Sequence, residues 1–175
     1  MWALARHDDR LTAACNRVAL LLAGNTPFYP LYLWFILGRA GWPALLLTGL
    51  SLPVFMATIW VARRHPLAGR IWLCTAASLN TAWVTWLLGA PSGITLFFLP
   101  CLVLAVLAFR GTELLPRALL TLLPFGLYAA SLWAPHAAAI YPAADYPGLV
   151  RLNAAAVASL CVILPYMLGA ARGEG

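Results

Sequence analysis

Trp60-Val61-Ala62-Arg63-Arg64-His65-Pro66-Leu67-Ala68-Gly69-Arg70-Ile71-Trp72 decides how this chain folds. Three arginines fall within residues 63–70, and long apolar stretches flank them at 42–62 and 70–89. A helix of about 20 residues crosses the ~30 Å hydrocarbon layer of a bilayer. Trp60 and Trp72 sit where each stretch meets the arginines. Indole rings favour that headgroup level, being apolar with one N–H to satisfy.

Four further stretches read the same way: 18–38, 92–109, 115–134 and 148–168. All 11 basic residues are arginine, and they alternate by loop. Arg6, Arg10, Arg17, Arg63, Arg64, Arg70, Arg110, Arg117 and Arg172 fall on one side, Arg39 and Arg151 on the other. The positive-inside rule makes the arginine-rich side cytoplasmic. The expected fold is an all-α integral membrane protein. Its six transmembrane helices form an antiparallel bundle with both termini cytoplasmic, in a bacterial inner membrane. Residues 1–17 are expected as a cytoplasmic or interfacial segment, 18–168 as the transmembrane domain and 169–175 as a cytoplasmic tail.

Composition agrees. Hydrophobic residues make up 63% and charged residues 9%, against ~25% charged in a soluble domain. The net charge of +6 points to anionic lipid rather than nucleic acid. Arg63, Arg64 and Arg70 are expected to reach lipid headgroups, with His65 in the same loop. Trp34, Trp42, Trp83, Trp86 and Trp133 gather towards the opposite interface, as a belt or as the lining of a cavity open to that side. The four cysteines lack CxxC spacing, so they read as small buried apolar residues.

Proline marks both helix starts and breaks. Pro43, Pro91 and Pro147 stand where helices begin on the outer side. Pro27, Pro30, Pro53, Pro100, Pro124 and Pro165 fall within stretches, and each frees a carbonyl. The loop 135–147, with His136, Tyr141, Asp145 and Tyr146, reads as a connector, and it alone is long enough for an external lid.

Intramembrane polar groups are the clue to a site. Asn25, Tyr29 and Tyr32 are spaced by four and three, so they share one helix face. Asn80 lies near mid-depth, Tyr128 in the outer half of the fifth stretch and Asn153 in the outer third of the sixth. An amide in lipid is costly, so these side chains are expected to turn inward. They either bond between helices, worth ~0.6 kcal/mol each on average, or converge on a ligand-binding pocket.

No Asp, Glu, His or Arg sits at the centre of a stretch. That argues against a proton pump, an acid-liganded transporter and a voltage sensor. HExxH, GxSxG and metal-ligand spacings are missing, so no enzyme, cofactor or metal is expected.

Phe28-Tyr29-Pro30-Leu31-Tyr32-Leu33-Trp34 resembles the aromatic-Pro-x-Tyr followed by Trp in the first helix of autoinducer-sensing histidine kinases of quorum sensing. The resemblance implies a six-helix sensor module with both ends cytoplasmic. In that family the bundle feeds a kinase through a helix after its sixth span. With no kinase segment before Gly175, signalling would pass through a protein partner, or this is the membrane piece of something longer. The expected function is a sensor or signal-coupling bundle for a small, largely apolar ligand, acting through a partner or as a homo-oligomer in the bilayer. A non-catalytic accessory subunit of a larger membrane complex is the alternative. An uncoupled transporter or channel is a third reading, supported by the prolines.

Overall fold

The structure is a computed structural model describing residues 2–38, 47–133 and 141–172. The described residues are helical, with no strand among them. Seven α-helices follow in order: α1 (Arg10–Asn25), α2 (Phe28–Leu37), α3 (Ser51–Arg64), α4 (Pro66–Leu88), α5 (Phe98–Leu107), α6 (Leu114–Trp133) and α7 (Tyr146–Arg172). Taken with α2 as its continuation, α1 starts a chain that runs back and forth between two ends. One end carries Asp9, Arg63, Arg64, Arg70, Arg110 and Glu113. Four helical runs are long and apolar enough to cross a membrane: Arg10–Leu37, Pro66–Leu88, Leu114–Trp133 and Tyr146–Ala171. Ile94–Leu107 and α3 are shorter. The predicted positions Arg39, Trp42, Pro43 and His136 lie outside the described residues.

The first helix begins eight residues before the predicted 18. Asp9 explains the early start. Its carboxylate accepts from the Leu11 N–H at 3.1 Å, satisfying one orphan donor of the first turn, and from the Thr12 hydroxyl at 2.8 Å. Leu11 to Asn16 are then buried in the bundle. The same run breaks at Thr26-Pro27. Proline lacks the N–H that would bond back along α1. Thr26 ends α1 instead, its N–H and hydroxyl both bonding the Leu22 carbonyl.

The predicted stretch 92–109 is also divided. Gly89 and Gly93 both take positive φ, at 79° and 78°, which a side chain resists. The turn between them spends residues 90–93, and a tight 3₁₀ segment covers Ile94–Phe97. Only Phe98–Leu107 remains for α5.

Between membrane helices, close packing replaces the hydrophobic drive available in water. Gly69 shows this at the α3–α4 hairpin, where an added Cβ would lie 2.5 Å from the Ala62 Cβ. One core cluster lies towards the charged end and includes Leu11, Cys15, Leu73, Leu104, Phe109, Leu164 and Leu168. A second lies at the opposite end, around Leu33, Leu37, Leu87, Leu88, Ile94, Tyr141 and Leu149. Tyr141 is thus folded onto the bundle rather than held in solvent. The outward face of α6 carries exposed Leu115, Leu119, Leu122 and Phe125, as lipid contact requires.

Candidate ligand cavity

A partly open cavity of about 520 Å³ lies between α1, α2, α3, α4, α5 and α7. No residue of α6 lines it. Its size falls in the range of small-molecule sites. Asn25, Tyr29, Tyr32 and Asn80 all stand on its wall. The shared face of the first three follows from their spacing, and the break at Pro27 does not separate them.

Its polar groups are ordered by hydrogen bonds. The Ser51 hydroxyl lies against both the Thr48 carbonyl, at 2.9 Å, and Asn80 Oδ1. The carbonyl edge of Asn80 is therefore turned into the wall. Tyr29 donates to Asn153 Oδ1 at 3.1 Å, and Asn153 Nδ2 donates to the Ser92 carbonyl at 2.8 Å. Thr81 Oγ1 is 3.5 Å from Cys101 Sγ on the same wall. Among the described residues, no Asp, Glu, His or Arg lines the cavity.

Two predicted ligand-binding residues lie elsewhere. Asn153 is fully buried behind Tyr29, not on the wall, and its amide ties α2, α7 and the turn after α4 together. Tyr128 is on α6, partly exposed, with its ring edge-on to Phe98 at 6.1 Å. No described tryptophan lines the cavity. Trp83 and Trp86 stack on each other at 5.3 Å with partly exposed rings, in keeping with an interface belt. Thr26, Thr48, Ser51 and Ser159 are polar wall residues the sequence did not single out. Short hydroxyl side chains are common in membrane helices, and only the helix arrangement brings these together.

Below the cavity the charged end is cross-tied. Arg70 is 2% exposed. Its guanidinium makes a bidentate pair with Glu113 at 2.8 and 2.6 Å and also reaches the Ala108 carbonyl at 3.0 Å. Arg110 pairs with Asp9 at 3.0 Å, and its backbone N–H donates to Glu113 at 2.8 Å. Burial alone would raise the Asp9 carboxyl, but the Thr12 hydroxyl and the charges of Arg110 and Arg70 outweigh it and hold the pKa below the usual value. Burial likewise opposes ionisation of Glu113, and hydrogen bonds from Arg70 and the Arg110 N–H overcome it. Arg70, expected at lipid headgroups, is turned here onto Glu113 and the Ala108 carbonyl. Both of its terminal nitrogens bond to protein while Nε does not, and a buried guanidinium needs its own anion. Arg63 and Arg64 remain exposed, with Arg64 stacked over Trp60 at 4.1 Å.

These features define a helical membrane protein built around a partly open cavity with no charged side chain among its described lining residues. The chain matches the MASE7 family model over residues 4–171 and belongs to that family of membrane-associated sensor domains. No curated protein and no solved structure matches it.

Proposed function

We propose that this chain is a non-catalytic sensor module of a bacterial inner membrane, crossing it six times with both ends cytoplasmic. It binds a small, uncharged, largely apolar ligand in the cavity and passes occupancy to a protein partner or a second copy of itself. The observation that carries this reading is the cavity itself. Wall side chains from six helices meet there, a few polar groups are fixed in place, and no Asp, Glu, His or Arg lines it among the described residues. Membership in a sensor-domain family supports it. Asn25, Tyr29, Tyr32 and Asn80 orient the ligand, with Asn153 holding Tyr29 and Tyr128 outside the wall. Arg63 and Arg64 anchor the cytoplasmic face to anionic headgroups.

The test is purification from native membranes in mild detergent, for the wild type and for Asn25→Leu. A small molecule extracted with the wild type and absent from a folded Asn25→Leu protein supports the sensor. A stoichiometric protein partner retained equally by both, with no small molecule, favours the accessory subunit. A reporter fused after Gly175 that is active outside the cell sinks the orientation.

A further inference from the structure

The start of the chain folds back onto the bundle. Trp2–Ala5 form a single 3₁₀ turn, and Ala5 is buried against Leu20 of α1 and Ile59 of α3. This small contact places three arginines from three separate segments. Arg6 follows Ala5 directly. Arg17 stands three residues before Leu20, and Arg63 four residues after Ile59, so each shares a helix face with the contact and sits one turn from it. Since α1 leaves the charged end and α3 returns to it, both steps lead towards that end. The side chains of Arg6, Arg17 and Arg63 are all exposed.

Protein does not balance their charge. The acids among the described residues are Asp8, Asp9, Glu113 and Asp145. Asp9 and Glu113 are engaged by Arg110 and Arg70. Asp145 precedes α7, at the opposite end. That leaves Asp8 for three guanidiniums, and none of the three is ion-paired among the described residues. Arg17 also stands seven residues beyond Arg10, about 10 Å further along α1 and so nearer the hydrocarbon. An arginine facing lipid at such a level snorkels towards phosphate. Apolar surface flanks the group, with Leu4 and Trp60 exposed beside it.

Resting on the reading of this end as a headgroup-facing surface, we infer that Arg6, Arg17 and Arg63 form a site for one acidic phospholipid. They hold its phosphodiester headgroup, and its acyl chains lie along the exposed apolar faces of α1 and α3. A guanidinium presents paired N–H donors that match phosphate oxygens. A zwitterionic headgroup carries its own cation, which three arginines repel. A free anion meets the same charge but makes no use of the depth of Arg17 or of the apolar flank. The turn at Ala5 is what assembles the site, because it brings Arg6 back beside two helices.

The full chain is purified in mild detergent, mixed with equal amounts of dioleoylphosphatidylglycerol and dioleoylphosphatidylcholine, and weighed intact by native mass spectrometry. One phosphatidylglycerol per chain should be retained in preference. Arg6→Gln, Arg17→Gln and Arg63→Gln should each lower that preference about fivefold, the effect of one arginine near an anionic surface. Arg117→Gln, at the same end but on α6, should leave it unchanged. Ala5→Phe, too large for its buried contact, should lower it as Arg6→Gln does although every charge is kept. Equal losses from Arg117→Gln and the other three overturn this inference alone, leaving a diffuse basic surface. So does an unchanged preference in Ala5→Phe. Displacement of the lipid by inorganic phosphate overturns it in favour of a soluble anion. No preference for phosphatidylglycerol in the wild type overturns it together with the headgroup reading of this end.

Discussion

The charged end and the cavity half of this bundle are held by different means. At the charged end, Asp9, Arg70, Arg110 and Glu113 cross-tie the start of α1, the start of α4 and the turn between α5 and α6. Directly beside them α3 and α4 touch at Gly69 and Ala62 with no room for a methyl group. In the cavity half the first helical run is broken at Pro27, and single hydrogen bonds such as Tyr29–Asn153 replace ion pairs. A membrane protein gains little from burying apolar surface, because lipid is as apolar as leucine. Rigidity therefore goes where charges interlock or backbones touch. The half without either is the half that can adapt to an occupant.

The comparison can be broken most directly at Arg70. Arg70→Gln should cost about 3–5 kcal/mol, since it strands the Glu113 carboxylate in a protein environment. Thermal unfolding in detergent should show it as the largest drop among single substitutions. A drop no greater than that of Asn80→Leu would remove the distinction between the halves.

Gly69→Ala comes next, at about 1–3 kcal/mol for overpacking against Ala62. The pair Gly69→Ala with Ala62→Gly should recover most of the loss in the same melt. If it recovers none, the close approach is not the cause.

Acid should weaken the charged end before the cavity half. Both carboxyls titrate below their ordinary values, 3.8 for Asp9 and 4.5 for Glu113, so the stability they contribute is full above that range. It begins to be lost as pH falls into the ordinary carboxylate range and is gone below the folded values. Hydrogen exchange at pH 3.5 and 6 should show faster exchange around residues 9–16 and 108–114 than around 28–37. Uniform acceleration would contradict the localisation.

The smallest effect on stability is expected at Asn25. Asn25→Leu removes no hydrogen bond made among the described residues, so the melt should move by less than the ~0.6 kcal/mol of an average interhelical bond. A larger loss would mean that Asn25 is a structural tie rather than a free wall group.

Much of this was legible in the sequence. The apolar stretches, the arginine alternation and the common face of Asn25, Tyr29 and Tyr32 all follow from spacing, and the break at Pro27 leaves all three on one wall. The early start of α1 was also written there, in Asp9 followed three residues later by Thr12, but a charged, polar opening masks a helix when hydropathy alone is followed. Arg70 could not be told from Arg63 and Arg64 by position. Its burial depends on Glu113, 43 residues away, arriving beside it. The same holds for Asn153: an amide in the outer third of a helix reads equally as wall or as tie until its partners at Tyr29 and Ser92 are in place. The shortening of α5 was signalled by Gly89, Pro91 and Gly93, whose turn spends residues that hydropathy counts as span.

Asn153 also bears on the order in which the chain can finish folding. Its two partners, the Tyr29 hydroxyl and the Ser92 carbonyl, emerge from the ribosome long before it does. Until α7 inserts, both are polar groups within a largely apolar assembly, and lipid offers them no replacement. The corner where Tyr29, Ser92 and Asn153 meet closes only when α7 is in place, and a chain without α7 carries that vacancy as a mark of incompleteness.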